Sequence, residues 1–332
     1  MVKFLIVTLF LFLSPEGDEK PYTLLLGPDQ KTDVLEPSLF APGFISDGLP
    51  NRDITISPAG DEIYYCVYTP DHQYAAILVT KYVNGKWTSP ETASFSKDPG
   101  YKFIEPAFNG DGTILYFSSN MPSGRGNEKL NNDIWAVNRE GEGWGDPYNI
   151  GPPVNTDGGE YFPSFTRDGS MYFTRNDANE VTSYIYRSGY SEGVFHDPVI
   201  LPDEINCGTD RYNAFVAPDE SFVVVPAEGV EKNTYGSSYY IVFKKKDGGW
   251  SSPVNMGPQF NTTPGRGWSF SMSPDLKYVF FMATKQKDRS SFNGTLSLDY
   301  FKNIMSGPGN GFPDIYWLGS GVIDALREQF SD

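Results

Sequence analysis

Glu105-Pro-Ala-Phe-Asn-Gly-Asp-Gly-Thr-Ile-Leu-Tyr-Phe117 is one strand, a tight polar turn and an aromatic strand in a single short phrase. The phrase recurs as Asp53-Ile-Thr-Ile-Ser-Pro-Ala-Gly-Asp-Glu-Ile-Tyr-Tyr65 and Phe162-Pro-Ser-Phe-Thr-Arg-Asp-Gly-Ser-Met-Tyr-Phe173. Two more copies are Asn213-Ala-Phe-Val-Ala-Pro-Asp-Glu-Ser-Phe-Val-Val224 and Ser269-Phe-Ser-Met-Ser-Pro-Asp-Leu-Lys-Tyr-Val-Phe-Phe281. With Ser57, Asn109, Thr166, Ala217 and Ser273 as equivalent positions, the steps are 52, 57, 51 and 56 residues. Strand patterning at a period near fifty means one four-stranded sheet per repeat, which is the signature of a β-propeller.

Each part of the phrase has a physical role. Asp-Gly or Pro-Asp supplies the turn, since Gly accepts a positive φ and Pro presets a negative one. Alternation, as in Ile54/Ile56 and Ile63/Tyr65, turns one face of each sheet toward its neighbour. A third strand follows in Ala76-Ile-Leu-Val-Thr80, Asp133-Ile-Trp-Ala-Val137, Tyr184-Ile-Tyr186, Tyr239-Tyr-Ile-Val-Phe243 and Asp314-Ile-Tyr-Trp317. Trp87-Thr-Ser-Pro90, Trp144-Gly-Asp-Pro147, Phe195-His-Asp-Pro198 and Trp250-Ser-Ser-Pro253 then close four repeats, with Pro at an edge where no ladder bond is lost. The aromatics read first as packing between blades. The 34 Gly and 26 Pro suit many short strands and turns.

The expected fold is therefore all-β: a single β-propeller over residues 51–318, with repeats at about 51–100, 101–157, 158–208, 209–264 and 265–318. No linker interrupts them, so one closed domain is expected. Residues 1–14 read as a signal peptide, because Lys3 precedes the apolar run Phe4–Leu13, which is too short to span a bilayer. Residues 15–50 read as an extension packing on the propeller, and 319–332 as a short amphipathic helix around Val322–Phe330. The mature chain is expected in the periplasm or secreted, with no stable membrane insertion.

The net charge of −16 disfavours nucleic-acid phosphates and anionic membranes as partners. It leaves a protein, peptide or glycan ligand. Cys66 and Cys207 lie half a ring apart and are expected as free thiols. With only His72 and His196, both beside turns, zinc or triad chemistry has few parts, and no metal site or cofactor is expected. The loop Pro122–Asp133 offers Asn127, Glu128, Asn131 and Asn132 as oxygen donors for Ca²⁺ but lacks the spacing of a calcium loop. Asn261-Thr-Thr263 and Asn293-Gly-Thr295 are glycosylation sequons only in a host that glycosylates.

The turns Ser-Pro-Ala-Gly, Asn-Gly-Asp-Gly, Thr-Arg-Asp-Gly and Ser-Pro-Asp, each followed by an aromatic strand, resemble the WD40-like PD40 repeat of TolB-like propellers. So do Trp144-Gly-Asp-Pro-Tyr-Asn-Ile-Gly-Pro-Pro-Val-Asn-Thr156, Trp250-Ser-Ser-Pro-Val-Asn-Met-Gly-Pro-Gln-Phe-Asn-Thr262 and Phe40-Ala-Pro-Gly-Phe-Ile-Ser46. The resemblance covers about residues 38–318 and implies the fold more than a function, since PD40 propellers serve as scaffolds, interaction modules and parts of enzymes. It implies a bacterial source, and six blades are usual in the family. Five phrases are present and the flanking segments offer few strands, so five blades are favoured and a sixth stays open.

In a propeller the inner strands line the channel, and their starts open on one face. Aligning the repeats places there Arg52 and Asp53; Glu105; Glu160 and Tyr161; Asp210, Arg211 and Tyr212; and Arg266 and Trp268. One reading is a set of ion pairs between blades. The leading functional reading is a binding or interaction module, with Tyr161, Tyr212 and Trp268 as flat surfaces and Arg52, Arg211 and Arg266 as donors. The alternative is a glycoside hydrolase in which Asp53, Glu105 and Glu160 supply acid and base, as in five-bladed glycosidases. Carboxyls about 6.5–9.5 Å apart would then suit inversion, and about 5–5.5 Å retention. A uronate lyase, with Arg on the sugar carboxylate and Tyr161 or Tyr212 as base, is a third possibility.

Overall fold

In four of the five copies the polar turn of the repeated phrase is held by its own aspartate. Asp111, Asp168, Asp219 and Asp275 each accept, through Oδ1, the backbone N–H two residues on, at 2.9–3.3 Å. This Asx geometry mimics a backbone turn and fixes where the strand reverses. Gly112 and Gly169 follow the aspartate with φ of +75° and +84°, whereas Glu220 and Leu276 occupy the same left-handed position at +56° and +60°. In the fourth repeat the strain is offset across a blade boundary: Glu220 Oε1 accepts from the Tyr172 hydroxyl and Arg187 Nε, both at 2.8 Å.

The computed structural model describes residues 20–27, 31–124, 131–176, 182–232, 236–261, 267–285 and 294–329. It contains five antiparallel blades. The first is built, from the inside outward, from Asn51–Ile56, Glu62–Tyr68, Ala75–Val83 and Glu91–Thr92. The second uses Phe103–Phe108, Ile114–Ser119, Asp133–Glu140 and Tyr148–Asn149, and the third Glu160–Phe165, Met171–Asn176, Ser183–Ser188 and Val199–Ile200. In the fourth the inner strand is split into Asp210–Arg211 and Phe215–Val216, followed by Phe222–Glu228, Ser238–Phe243 and Val254–Asn255. The prolines at 90, 147, 198 and 253 come immediately before these outer strands. There they cost no ladder bond.

The fifth blade takes only three strands from its own repeat: Phe270–Met272, Tyr278–Ala283 and Asp314–Gly319. Its outermost strand is Ser38–Leu39 from the N-terminal extension, with Ser38 opposite Trp317 and Leu39 opposite Tyr316. Residues 32 and 34 continue the contact, as Gly321 N donates to Thr32 O at 3.1 Å and Gly319 N to Val34 O at 2.9 Å. The extension thus completes a blade and closes the ring, and no sixth blade forms among the described residues.

Five apolar clusters fill the five junctions between neighbouring blades. The expected C-terminal helix is present as Gly321–Gln329, and it buries Val322, Ile323 and Leu326 in the cluster between the fourth and fifth blades. A second helix, Leu298–Met305, lies in the fifth blade's long connection with no buried residue. Cys66 and Cys207 are both buried free thiols.

Candidate functional site

The inner strands are bulged, and the bulges create the site. Register slips between Arg52 and Thr55, Ile104 and Ala107, and Tyr161 and Ser164. At each slip one residue is left-handed: Asp53 (+56°), Glu105 (+60°) and Phe162 (+54°), joined by Asn213 (+51°) in the fourth blade. Such a conformation costs about 1–3 kcal/mol per non-glycine residue. What holds it is a latch to the preceding blade, made by the bulge N–H. Glu105 N donates to Cys66 Sγ (3.2 Å), Phe162 N to Ser118 Oγ (3.2 Å) and Asn213 N to Thr174 Oγ1 (2.9 Å). Asp53 N donates to Ser269 Oγ (3.1 Å), and Ser269 N to the Tyr239 hydroxyl (3.3 Å), which completes the circuit.

The bulges bring Asp53 and Glu105 to the channel, where they border a cavity of about 130 Å³. Arg52 joins them: its Nε donates to Asp53 Oδ2 and its Nη2 to Glu105 Oε1. Glu105 is held from three further sides, by Ser118 Oγ (2.9 Å), Phe162 N (2.9 Å) and, across the ring, Asn213 Nδ2 (3.2 Å). The Arg52 side chain is 11% exposed and the two carboxylates 1% and 2%. Asp53 Oδ1 and Asn213 Oδ1 are buried without a hydrogen-bond partner among the described residues.

One guanidinium for two buried carboxylates leaves a net negative charge out of water. Burial raises Asp53 above the ordinary carboxylate range against the pull of Arg52. Burial likewise pushes Glu105 up to about 7, opposed by Arg52 and reinforced by the Asp53 charge. Arg52 moves the other way from what burial alone would do, raised by Asp53 and then Glu105. Because the folded state holds the Glu105 proton more tightly than the ordinary value of 4.5, this group stabilises the fold below that value. The contribution is lost as pH rises through about 7. The melting temperature of the protein minus that of Glu105→Gln is therefore expected to fall as pH is raised across this window. A difference that stays flat from pH 5 to pH 8 would contradict it.

Above this triad, on the face where the inner strands begin, lies a second pocket of about 360 Å³. Arg52 and Tyr161 line it together with Tyr68, His72, Lys102 and the asparagines 120, 131, 132 and 176. The Tyr161 hydroxyl donates to Asn176 Oδ1 at 3.1 Å and lies 2.9 Å from Ser183 Oγ. Trp268 lies beside this mouth, with Arg52 over its ring at 5.4 Å and the His72 ring at 5.7 Å. His72 itself stacks on Tyr68 at 4.8 Å.

The other aligned residues lie elsewhere. Glu160 does not join Asp53 and Glu105, because the bulge puts Phe162 at their position and Glu160 at that of Asn51 and Phe103. It is fully buried, accepts from Thr156 N (3.0 Å) and Arg175 Nε (2.9 Å), and is raised by burial against those Thr156 bonds and Arg175. Arg211 is buried and spends its donors on the carbonyls of Cys207, Ser183 and Gly208, at the junction of the third and fourth blades. The Tyr212 hydroxyl donates to Glu228 Oε1 at 3.4 Å. Arg266, Asn127, Glu128 and the leader segment fall outside the described residues. Among the described residues no group of three or more His, Cys, Asp or Glu is placed to hold a metal ion, and no helix is long and apolar enough to cross a membrane. Lys102 and the mouth asparagines 120 and 176 belong to no motif of the sequence. Their one shared signal is position, just before an inner strand or at the end of a second strand.

No family model matches the chain, and no curated protein matches it in sequence. Solved structures do match. TolB from Acinetobacter baumannii is 16% identical over 81% of this chain, with a TM-score of 0.45. This chain spans 54% of that structure's length. An α-L-arabinofuranosidase from Podospora anserina, solved with cellotriose, is 12% identical over 88% of this chain and 98% of its own, with a TM-score of 0.50. A thermostable family-43 glycoside hydrolase is 14% identical over 82% and 88%, with a TM-score of 0.46. The likeness is one of fold: the chain is a five-bladed β-propeller.

Proposed function

We propose that this chain is an exported, TolB-like propeller of the PD40 class that binds a peptide, protein or glycan at the channel mouth without turning it over. The observation that carries this reading is the state of the carboxylates. Asp53 and Glu105 are tied to one arginine beneath the mouth, and Glu160 is tied to Arg175 elsewhere. A pair of hydrolytic acids has to reach a glycosidic oxygen and a sugar carbon from opposite sides. These three are at most 2% exposed, two of them sharing Arg52 and the third held by Arg175. The mouth above them instead offers amides, ring faces and cations, the groups that orient a bound ligand. Placement in the periplasm or outside the cell is supported by the pattern of Lys3 and Phe4–Leu13.

Calorimetric titration with neutral oligosaccharides and short peptides tests the reading. A bound ligand is expected to lose at least about tenfold in affinity, or about 1.4 kcal/mol, in Tyr161→Ala. A glycoside hydrolase, the second reading, is favoured by the Glu105 value near 7, which suits a general acid. It requires turnover of aryl glycosides that Glu105→Gln and Asp53→Asn abolish. Such turnover would replace the binding reading.

A further inference from the structure

We propose that the ligand of the mouth pocket is a small polyhydroxylated acid, a sugar acid in chemical class, whose carboxylate sits between Arg52 and Lys102; this rests on the mouth being the binding site. The chain as a whole carries −16, yet the residues lining this pocket include two cations and no carboxylate. Asp53 and Glu105 already face Arg52 from below, so Lys102 is the cation at the mouth without a carboxylate partner among the described residues, and a concave site with such a cation draws in an anion. The cations have capacity to spare. Arg52 engages Asp53 through Nε and Glu105 through Nη2, so Nη1 meets no acceptor among the described residues. Lys102 Nζ likewise makes no ion pair there, while its backbone N–H donates to Asn120 Oδ1 at 2.7 Å.

The amides complete the match. Asn120 and Asn176 have their oxygens occupied, by Lys102 N and the Tyr161 hydroxyl, which leaves both NH₂ groups to donate. Asn131 donates its NH₂ to Asp157 O at 2.8 Å, which leaves its oxygen to accept. Donors and an acceptor beside a cation pair suit hydroxyl groups around a carboxylate better than an apolar acid. A volume of about 360 Å³ is that of a small-ligand site.

A third carboxylate on Arg52 competes with the two already there. The charged or titratable groups facing Glu105 are Arg52, Asp53, Cys66 and Tyr161, and only Arg52 is a cation. Binding near neutral pH therefore favours proton uptake at Glu105, and affinity rises as pH falls from 8 to 6.

The test is calorimetry with sodium D-glucuronate and D-galacturonate against D-glucose and D-galactose, at pH 6 and pH 8, on the full chain and on Lys102→Gln. The uronates are expected to bind about tenfold or more tighter than the hexoses, more tightly at pH 6, with the preference lost in Lys102→Gln. Equal binding of acid and hexose, or a preference that survives Lys102→Gln, overturns the proposal. Neutral glycans or peptides that bind at the mouth, as judged by Tyr161→Ala, with no preference for acids would overturn it and leave the binding reading standing. Binding of no sugar or peptide would overturn both.

Discussion

Arg52→Met is expected to lower the unfolding free energy by about 3–5 kcal/mol, the range for removing one partner of a buried ion pair. Methionine keeps much of the length of the side chain, so the loss is chiefly electrostatic. Asp53 and Glu105 would remain at the channel with no cation among the described residues to face them. Urea denaturation at pH 7.5 measures the loss, and a second variant identifies its cause. Adding Asp53→Asn and Glu105→Gln to Arg52→Met removes the stranded charges, so most of the stability should return. If the single variant loses under about 1 kcal/mol, the triad behaves like an exposed ion pair and the reading of a buried, charge-strained channel is wrong.

Phe40→Ala should cost a similar amount, about 3–5 kcal/mol, for a different reason. Phe40 is fully buried and packs edge-on against Phe280, with ring centres 5.0 Å apart. Its backbone N–H donates to Ile315 O at 2.9 Å, so the ring sits where the N-terminal strand crosses onto the fifth blade. The substitution leaves a cavity and loosens the strand that joins the extension to that blade's edge. Leu35→Ala is the control: Leu35 is exposed, and its truncation should stay within about 0.5 kcal/mol. Equal effects in the two variants would mean that the closure carries little of the stability.

The repeats were legible because their turn is chemically specific. In four repeats an aspartate that caps its own turn, followed by a left-handed residue, fixes the reversal point; the first has Ala59 before the left-handed Gly60, and the five copies of the phrase fix the blade count. The closing strand was not legible, since Ser38–Leu39 is too short to show a period of two and its partner is the end of the chain. The site was legible in part. Arg52, Asp53 and Glu105 align at the strand starts, and the structure brings their side chains together. Glu160 does not belong with them: the bulge recurs at the same place in each of the first three blades, and the repeated phrase sets Phe162 level with Asp53 and Glu105, two residues after Glu160. Asn120 and Asn176 come from different blades and meet only when the ring forms.

Closure by an N-terminal strand also changes what the two ends of the molecule are. Thr32–Leu39 runs antiparallel to Asp314–Gly321, so the chain enters and leaves the fifth blade at the same end of one strand pair. The polypeptide is therefore a near-circle, interrupted inside a blade and not between two. Tension applied between Thr32 and Gly321 would unzip that outer ladder one bond at a time instead of shearing it. Conversely, a linker joining the ends, with a new break in an exposed turn of another blade, would make the fifth blade continuous and transfer the weak seam to a place of choice.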